Sequence, residues 1–486
     1  MKALKDILYS VAIEAVSGDV QHEIDHITFD SREVRHQSLF VALSGTKVNG
    51  HEFINSAIQK GATAIVCEKL PDAAFDNCVI IQVPDSHKAL GIMAGNFYGN
   101  PSKALTVIGV TGTNGKTSVT TMLHDLMTQM GYVCGLLSTV EVRVGRQLFD
   151  ASHTTPDPLQ IHRYFRAMVD AGVAYCFMEV SSHGIAQERI AGIDFNGGVF
   201  TNLTHDHLDY HKTFAAYRDV KKRFFDDLPK TAFSLTNVDD KNGAFMLQNC
   251  AAKKKSFALR SYADYPIQIL EQQLNGMLLK INGTEVWTPL VGQFNALNLI
   301  AVFAVADLLE LDTFDTLSTL SQLRPVPGRF QVFEGDEKRY VVIDYAHTPD
   351  ALTHTLEAIN QIRTKNETLI TVVGCGGNRD QEKRPVMGRI AAQMSDRVIF
   401  TSDNPRGEEP KQILKDIRSG VAPEAFKKTL LIEDRKEAIH AAYQFSKPND
   451  IVLIAGKGHE TYQEIKGKKI PFDDYKIAKQ IFSNTQ

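Results

Sequence analysis

The fold of this 486-residue chain is decided by the stretch Thr106-Val-Ile-Gly-Val-Thr-Gly-Thr-Asn-Gly-Lys-Thr-Ser118. Its apolar, β-branched beginning predicts a strand that is buried on both faces. Its glycines predict a flexible turn, and Lys116-Thr117 opens a helix whose apolar residues recur every three or four positions as far as Gly131, which suits the C-cap. A strand, a glycine turn and a helix start in this order predict a phosphate cradle, because main-chain N–H groups and the helix dipole favour an anion there.

Nucleotide binding is the function that this cradle predicts. Lys116 would add a positive charge beside the phosphates, and the Thr117 hydroxyl would be a ligand of Mg²⁺. The usual pattern has its first glycine where this chain has Val110, whereas glycines stand here at 109 and 112. A glycine-rich turn without a ligand is the alternative, but the lysine-threonine pair stands where phosphates would bind. The residues expected around the phosphates are Gly112, Thr113, Asn114, Gly115, Lys116, Thr117 and Ser118.

The composition is that of an ordinary globular protein. A chain of 486 residues exceeds a single core and predicts roughly two to four domains. The net charge of −4 gives no electrostatic attraction for nucleic acid. The six cysteines lie far apart without a C-x-x-C pair, which predicts reduced, mostly buried thiols, and no apolar run approaches the length of a membrane span. We therefore expect a soluble, cytoplasmic protein whose partners are small molecules, with no nucleic acid and no membrane among them.

Strand and helix patterns alternate along the whole chain, which predicts an α/β fold with three domains. Residues 1–103 would form a small N-terminal α/β domain that ends in a linker at 100–103. Residues 104–332 would form a central P-loop mononucleotide-binding domain with a parallel sheet and a small antiparallel piece between 267 and 290. Residues 333–486 would form a C-terminal Rossmann-like, doubly wound domain with strands at 340–344, 369–374, 397–401 and 450–455.

Two polar sites follow strands of the central domain. Glu179 ends an apolar strand and could hold Mg²⁺ directly or through water, with a helix cap or a surface carboxylate as the alternative. The segment 201–211 holds three histidines and two aspartates within seven residues, which is typical of metal or proton-transfer chemistry. It approaches the H-x-H-x-D-H zinc pattern of metallo-hydrolases, with the last histidine one position late, so a zinc site stays an alternative. The basic triplet 221–223 is typical of a solvated helix face.

The strand ends of the last domain carry groups that suit a zwitterionic ligand. Arg379, Asn404 and Arg406 could bind a carboxylate, since arginine forks match carboxylates bidentately. Glu460 could take an ammonium group. Arg329, directly after Pro-Gly, is a candidate for reaching a nucleotide phosphate, and a surface arginine is an equal alternative.

Several motifs occur in the order in which one known family carries them. They are Gly109-Val-Thr-Gly-Thr-Asn-Gly-Lys-Thr117, Met178-Glu-Val-Ser-Ser-His183, Phe200-Thr-Asn-Leu-Thr-His-Asp-His-Leu-Asp-Tyr-His211, Asp344-Tyr-Ala-His-Thr-Pro349 and Gly374-Cys-Gly-Gly-Asn-Arg-Asp380. On these motifs the chain resembles the Mur ligases of peptidoglycan synthesis. Within that family it looks like the type that adds the third residue to UDP-N-acetylmuramoyl-L-alanyl-D-glutamate. The family's own G-T-N-G-K-T sequence accounts for the unusual glycine spacing.

The resemblance implies an ATP site that includes Mg²⁺. Lys116 and Thr117 would serve the β- and γ-phosphates and the metal, and Asn295, Arg329 and Asp344 would also hold ATP. The metal site would comprise Thr117, Glu179, His207 and Lys221. Lys221 matches the family lysine that is carbamylated, which replaces the solvated-face interpretation for this one residue. Carbamylation requires the neutral amine and therefore a desolvated lysine.

The resemblance also implies the sites of the other two substrates. The uridine pocket would be lined by Ser31, Thr46, Lys47 and Val48. The muramoyl-dipeptide side would be bound by Thr154, Thr155, Ser181, Gln187 and Arg189. Asp403-Asn-Pro-Arg406 is typical of the enzymes that add meso-2,6-diaminopimelate, and Arg406 would clamp the distal carboxylate that lysine lacks. The diaminopimelate pocket would comprise Arg379, Asp403, Asn404, Pro405, Arg406, Gly456 and Glu460.

The function implied is an ADP-forming amide ligase of cytoplasmic peptidoglycan precursor synthesis that works through an acyl phosphate. Lys116, Lys221 and His207 would carry the catalysis. Three alternatives remain open: a lysine-adding ligase of the same family, a ligase resembling folylpolyglutamate synthase, and a nucleotide-binding partner subunit without activity. A monomer is expected from the resemblance alone.

Overall fold

The computed structural model describes residues 1–45, 48–71, 77–204 and 208–483, with only the backbone for Leu208 and Asp209. The chain divides into two compact units, residues 1–256 and 257–486. Strands and helices alternate in both, which confirms the predicted α/β class. The domain boundaries predicted near residues 103 and 332 remain predictions.

The N-terminal part of the first unit is built on a five-stranded sheet. Its strands lie in the order Ala15–Ser17, Val79–Gln82, Ala62–Cys67, Ser38–Val41 and His26–Thr28, and all but the first run parallel. The helices Ile54–Gln59 and Ser86–Phe97 cover it, and a separate apolar cluster packs on each face. Further elements are the short strands Lys2–Ala3 and Glu23–Ile24, the helix Leu4–Ile7 and the 3₁₀ helix Gly50–Phe53.

The central sheet of the first unit places the quoted stretch in its middle. Strand order is Gln147–Asp150, Glu141–Val144, Cys134–Leu137, Tyr175–Glu179, Thr106–Thr111, Gly197–Phe200 and Phe233–Asn237. The last five run parallel, as predicted. The helices are Lys116–Gln129, Pro158–Asp170, Ser182–Ala186, Leu208–His211, Phe214–Asp226 and Gly243–Met246, and the strand Lys253–Ala258 spans the boundary between the units.

The linker expected at 100–103 is a packed element. Residues Pro101–Ala104 form a 3₁₀ helix in which Pro101 and Ser102 are buried, and Ser102 Oγ accepts from the Asp194 N–H at 3.2 Å. Nearby, a Cβ added at Gly91 would lie only 2.6 Å from the Ala191 carbonyl oxygen. The helix Ser86–Phe97 of the N-terminal part therefore lies in close contact with the main chain at Ala191.

The second unit begins with an antiparallel piece and continues as a doubly wound sheet. The antiparallel strands are Tyr265–Gln273, Gly276–Ile281 and Thr284–Thr288, followed by the helices Gln293–Leu308 and Thr313–Leu320. The sheet order is Gln331–Glu334, Tyr340–Asp344, Ile451–Ala455, Leu369–Val373, Arg397–Phe400 and Thr429–Leu431, parallel except for the first strand. Apolar clusters on both faces confirm the Rossmann-like prediction.

Helices and short elements complete the second unit. The helices are Pro349–Ile362, Lys383–Met394, Pro410–Ser419, Arg435–Phe445 and Asp474–Phe482, with 3₁₀ helices at Asp336–Lys338 and Pro423–Lys428. A hairpin is formed by Tyr462–Ile465 and Lys468–Pro471. The sequence patterns did not indicate the hairpin or the last helix.

Two composition-based predictions bear on the whole chain. All six cysteines are buried and free, which confirms the prediction of buried thiols. Within the described part of the chain, no helix is both long and apolar enough to span a membrane.

Candidate active site

The phosphate loop is braced by the segment that follows the neighbouring strand Gly197–Phe200. The N–H groups of Thr113 and Asn114 donate to the main-chain and side-chain oxygens of Asn202, at 2.8 and 2.9 Å. Thr201 Oγ1 donates to the Asn114 carbonyl at 2.6 Å. Gly112 has a φ of +152°, and a Cβ added to it would lie 1.9 Å from Thr201 Oγ1. The loop conformation therefore depends on a glycine at position 112.

Packing explains why a glycine stands at 109 rather than at 110. A Cβ added at Gly109 would lie 2.6 Å from the ring of Phe224, on the helix Phe214–Asp226. Val110 is fully buried. The absence of a side chain at Gly109 thus allows the helix Phe214–Asp226 to approach the strand Thr106–Thr111 closely.

Two lysine ammonium groups converge on one carbonyl oxygen of the loop. Lys116 Nζ donates to the Gly112 oxygen at 3.0 Å and to the Thr113 oxygen at 2.8 Å. Lys221 Nζ donates to the same Gly112 oxygen at 2.8 Å and lies 5.0 Å from the ring centre of Tyr217. Lys221 is only 1% exposed. The structure therefore brings the two predicted catalytic lysines to one point beside the phosphate loop.

The solvated-face interpretation, which the resemblance replaces for Lys221, is wrong for Lys222 as well. Lys222 is buried as well as Lys221, and its Nζ lies 2.7 Å from Asp226 Oδ2 and 5.7 Å from the ring centre of Phe245. Arg223 forms an ion pair with Glu188. The side chains of Lys222 and Arg223 thus contact acidic and aromatic residues that are not adjacent to them in sequence, instead of extending into solvent.

Glu179 lies at the end of its strand, beside the phosphate-loop strand, where it pairs with Val110. Its carboxylate is almost fully buried and accepts from the Thr139 N–H at 2.7 Å and from Thr139 Oγ1 at 3.1 Å. His207 lies outside the described residues. Among the residues that are described, no group of three or more His, Cys, Asp and Glu side chains is arranged around a metal position. The zinc alternative rests partly on His205 and His207, which the described ranges exclude.

The residues predicted for the muramoyl-dipeptide form one hydrogen-bonded chain. Thr154 Oγ1 lies within hydrogen-bond distance of Thr139 Oγ1, at 3.0 Å, and Thr155 Oγ1 donates to the Glu179 carbonyl at 2.8 Å and accepts from the Ser181 N–H at 3.0 Å. Arg189 donates through Nη1 to the Thr155 carbonyl at 2.7 Å and through Nη2 to Gln187 Oε1 at 2.7 Å. Burial lowers the pKa of Arg189 from its ordinary value.

A cavity of about 280 Å³ lies beside this chain, within the first unit. It is lined by Phe29, Leu43, His87, Leu90, His153, Asp157, Pro158, Gln187 and Arg189. The two predicted residues Gln187 and Arg189 are therefore brought together with side chains from the loops and the helix Ser86–Phe97 of the N-terminal part of this unit. Ser31 and Val48 are not among the lining residues, and Thr46 and Lys47 lie outside the described residues.

The remaining ATP candidates lie in the second unit. The Asp344 carboxylate accepts from the N–H groups of Phe330 and Ala346, at 2.7 and 3.0 Å, and from Thr355 Oγ1 at 2.9 Å. Burial raises the pKa of this carboxyl, although the three hydrogen bonds and the charge of Arg329 oppose the shift. The Arg329 guanidinium lies 4.4 Å from the ring centre of Tyr345. Asn295 is buried, and its Nδ2 donates to the Val291 carbonyl at 2.8 Å.

The Arg329 segment touches the loop that follows strand Ile451–Ala455. A Cβ added at Gly328 would lie 2.1 Å from the His459 nitrogen. Burial, followed by the charges of Arg329, Lys457 and His347, lowers the pKa of His459 to about 3, so this imidazole is neutral at physiological pH. The second unit thus joins the ATP candidates to the predicted amino-acid pocket through main-chain contact.

The predicted amino-acid pocket is assembled from three strand ends. Asn404 Nδ2 donates to Glu460 Oε2 at 2.8 Å. Arg406 has a φ of +50°, and its guanidinium donates through Nη1 to the Gly377 carbonyl at 2.9 Å. Gly456 has a φ of +117°, and a Cβ there would lie 2.7 Å from Asp403 Oδ2. Arg379 is exposed, and a Cβ added at Gly376 would lie 3.8 Å from its Cγ.

Sequence reasoning missed two charged residues of this pocket. Lys457 donates to Glu460 Oε2 at 2.8 Å, and Glu464 Oε2 accepts from Arg406 Nε at 3.2 Å. The signal for Lys457 was its place in Gly456-Lys-Gly-His-Glu460, directly after a buried strand. Glu464 carried no such signal, because the hairpin that presents it was not predicted.

Three family models match the chain. They are "Mur ligase family, catalytic domain" over residues 23–98, "Mur ligase middle domain" over residues 110–306 and "Mur ligase, glutamate ligase domain" over residues 328–458. A UDP-N-acetylmuramoyl-L-alanyl-D-glutamate–2,6-diaminopimelate ligase of Bacteroides fragilis is 50% identical over 482 residues, which cover 99% of each chain.

Solved structures give the same picture. A structure of a UDP-N-acetylmuramoyl-L-alanyl-D-glutamate–2,6-diaminopimelate ligase is 32% identical with a TM-score of 0.70, covering 99% of this chain and 98% of that one. MurF ligase from Thermotoga maritima, solved in complex with ADP, is 20% identical with a TM-score of 0.60 and covers 94% of this chain and 96% of its own. At that identity the second likeness concerns the fold alone.

Proposed function

The chain belongs to the Mur ligase family, and we propose that it is the ligase that adds meso-2,6-diaminopimelate to UDP-N-acetylmuramoyl-L-alanyl-D-glutamate. The observation that carries the proposal is the match to a ligase of that name along the entire chain, at 50% identity. ATP would be converted to ADP and phosphate, and the product would be a peptidoglycan precursor.

The reaction joins a carboxylate to an amine by way of an acyl phosphate. The D-glutamate γ-carboxylate would attack the γ-phosphorus of ATP, the bond to the β,γ-bridging oxygen would break, and ADP would leave. The amine of diaminopimelate would then attack the acyl carbon, lose a proton, and expel phosphate from the tetrahedral intermediate. Two anions must meet in the first step, so cationic groups beside the phosphate loop are required.

Lys116 supplies one of those cations. Its Nζ lies over the Gly112 and Thr113 carbonyl oxygens, at the start of the helix where the phosphates are proposed to bind. The full set proposed for the phosphates is Gly112, Thr113, Asn114, Gly115, Lys116, Thr117 and Ser118. We assign Asn295, Arg329 and Asp344 to the rest of ATP, supported by the burial of Asn295 and by the hydrogen bonds that fix Asp344.

The residues proposed for Mg²⁺ fit a hard cation. Thr117 offers a hydroxyl oxygen and Glu179 a buried carboxylate, which are oxygen ligands of the kind that Mg²⁺ prefers. When bound, the metal would neutralise charge on the phosphates. His207 is proposed as a further metal-site residue. Carbamylation of Lys221 would replace one of two neighbouring ammonium groups by an anion with two further oxygen donors, and the shared Gly112 contact supports that change.

The UDP-muramoyl-dipeptide is assigned to the cavity beside Gln187 and Arg189, together with Thr154, Thr155 and Ser181. Arg189 offers a positive charge to the acidic substrate. Ser31, Thr46, Lys47 and Val48 are proposed for the uridine end. Diaminopimelate is assigned to the pocket of the second unit, in which Arg406 would hold the distal carboxylate and Glu460 an ammonium group. Its other proposed residues are Arg379, Asp403, Asn404, Pro405 and Gly456.

ADP formation with all three substrates tests the proposal. ADP formation over many turnovers is expected only when ATP, UDP-N-acetylmuramoyl-L-alanyl-D-glutamate and meso-diaminopimelate are all present, and omitting any one should stop turnover. Turnover with a folate and glutamate instead would favour the folylpolyglutamate-type ligase. ATP binding without any turnover would favour the inactive partner subunit.

Two further properties are part of the proposal. A monomer is expected, which light scattering after gel filtration would check. A cytoplasmic location is expected because the reaction needs ATP and a UDP-linked precursor, and cell fractionation would check it.

A further inference from the structure

Lys457 is the most deeply buried cation of the proposed diaminopimelate pocket. It directly follows Gly456 at the end of the strand Ile451–Ala455, and its side chain is 0% exposed. Taking an ammonium group out of water is costly unless the group is paired and hydrogen-bonded. A lysine kept at such a position therefore needs a specific partner or purpose.

Both of its hydrogen bonds go to residues proposed to bind the amino acid. Lys457 Nζ donates to Glu460 Oε2 at 2.8 Å and to Asn404 Oδ1 at 3.0 Å. The ammonium also lies 5.6 Å from the ring centre of Tyr462, within the range of a cation–π contact. Its charge is thus directed at the pocket rather than at the apolar core behind the sheet.

These contacts fix the Asn404 amide in one orientation. Its Oδ1 accepts from Lys457 Nζ and, at 2.9 Å, from the Glu464 N–H, while its Nδ2 donates to Glu460 Oε2 at 2.8 Å. Turning the amide over would oppose donors to donors at two positions and an acceptor to an acceptor at the third. Asn404 is therefore held by three neighbours, of which Lys457 supplies the only positive charge.

The same contacts give the two oxygens of the Glu460 carboxylate different roles. Its Oε2 accepts from both Lys457 and Asn404, at 2.8 Å each. The other oxygen, Oε1, is then the one suited to an ammonium group of a ligand. Lys457 also offsets the negative charge of Glu460, whose side chain is only 17% exposed.

The network continues to the arginine that is proposed to hold the distal carboxylate. Glu464, whose N–H contacts Asn404, accepts from Arg406 Nε at 3.2 Å, and the Arg406 N–H donates to the Glu464 carbonyl at 2.9 Å. Glu460, proposed to bind the ligand's ammonium group, and Arg406, proposed to bind its carboxylate, are thus connected through Asn404 and Glu464. A substitution at Lys457 would therefore disturb the positions of both side chains.

We propose that Lys457 is a positioning residue for the amino acid, which orients Asn404 and leaves Glu460 Oε1 for the distal ammonium of diaminopimelate. This role rests on the proposed function of the same pocket. Lys457 touches neither ATP nor the acyl phosphate in this scheme, so its removal should affect the binding of one substrate of the three.

The test is the kinetics of Lys457→Met, which keeps an unbranched side chain as far as the ε position and removes the ammonium group. The KM for meso-diaminopimelate should rise at least about tenfold, a factor equal to about 1.4 kcal/mol, while the KM values for ATP and the UDP-precursor stay within about twofold. Lys428→Met is the control, because Lys428 belongs to the same unit and donates to the Ser395 carbonyl, away from the pocket. It should leave all three KM values unchanged.

A substrate analogue separates positioning from a merely structural role. With 2-aminopimelate, which lacks the distal ammonium, Lys457→Met should lose less than it loses with diaminopimelate. Equal losses with both amino acids, or equal rises in all three KM values, would overturn the role. Lys457→Gln retains a neutral donor and should give intermediate KM values, so it decides the question if the methionine variant does not fold. A wild-type KM in Lys457→Gln would then overturn the role.

The wild-type reaction distinguishes the two possible failures. A wild-type protein that does not turn over meso-diaminopimelate refutes the proposed function and this role with it. An active wild type whose Lys457 variants behave like it refutes the role of Lys457 alone.

Discussion

Replacing Gly112 by alanine should displace the phosphate loop. Gly112 has a φ of +152°, and the new Cβ would lie 1.9 Å from Thr201 Oγ1 and 3.0 Å from the Asn202 carbonyl oxygen. The hydroxyl of Thr201 cannot simply turn away, because it donates to the Asn114 carbonyl at 2.6 Å, and the Asn202 carbonyl is held by the Thr113 N–H at 2.8 Å. Either the loop moves or these hydrogen bonds break.

The magnitude follows from two separate effects. Holding an alanine in a sparsely populated backbone region costs about 1–3 kcal/mol. Forcing an additional carbon into a packed site costs about 1–3 kcal/mol more. Gly131 separates the two effects, since it has a φ of +92° but nothing within 4 Å of an added Cβ. Gly131→Ala should therefore show the backbone effect alone.

Thermal unfolding and ATP kinetics measure the difference. At about 2–4 °C per kcal/mol for a unit of this size, Gly112→Ala should melt roughly 2–12 °C below Gly131→Ala. The KM for ATP should rise at least about tenfold in Gly112→Ala, because a shift of 1.4 kcal/mol in phosphate contacts suffices, and should not change in Gly131→Ala. A Gly112→Ala variant that melts with Gly131→Ala and binds ATP like the wild type would refute this account of the loop.

Three further predictions concern individual side chains. Wild-type protein kept in ¹³C-bicarbonate should show a carbamate carbon by NMR that Lys221→Arg lacks. If the carbamate holds the metal, the kcat of this variant should fall by a factor of roughly 10³. A missing signal in the wild type would contradict the carbamate. Arg406→Met should raise the KM for diaminopimelate roughly 10- to 150-fold and leave that for ATP unchanged, since a hydrogen bond to a charged group contributes about 1.5–3 kcal/mol; an unchanged KM would remove Arg406 from the pocket. Burial lowers the pKa of His162 from 6.5 to about 4. The unfolded chain therefore takes up a proton there first, and stability that is fully present above pH 6.5 falls toward pH 4 by up to about 1.4 kcal/mol per pH unit. Urea unfolding of His162→Leu from pH 7.5 to 4.5 should show a flatter acid limb, and an identical limb would contradict this assignment.

The regular elements could be predicted because their signals are local. The strand Tyr340–Asp344 was predicted with its observed bounds, since an unbroken β-branched run buried on both faces has one interpretation. The strand Ala15–Ser17 could not be recognised, because all three of its residues are exposed and its pairing with Val79–Gln82 depends on residues more than sixty positions away. The hairpin Tyr462–Pro471 was missed for a related reason, since its second strand is exposed throughout.

The site was predictable where a motif fixes the main chain and not where tertiary partners decide. The order of strand, glycine turn and helix around residues 106–118 and the strand-end position of Glu179 follow from short sequence patterns, and the structure has both as predicted. The burial of Lys222 depends on Phe245, twenty-three residues further on, so the sequence alone favoured a solvated lysine. The requirement for a glycine at 109 depends in the same way on the packing of Phe224. The role of Lys457 depends on its hydrogen bond to Asn404, fifty-three residues before it.

The most direct test of the central claim is phosphate release with ATP, Mg²⁺ and UDP-N-acetylmuramoyl-L-alanyl-D-glutamate in parallel reactions with meso-diaminopimelate or L-lysine. We expect turnover with diaminopimelate. The kcat/KM for lysine should be lower by roughly 10- to 150-fold, the factor assigned to the Arg406 contact, or by more. Equal or better turnover with lysine would retain the ligase but contradict the assignment of Arg406 and its pocket. No phosphate release with either amino acid would contradict the ligase itself.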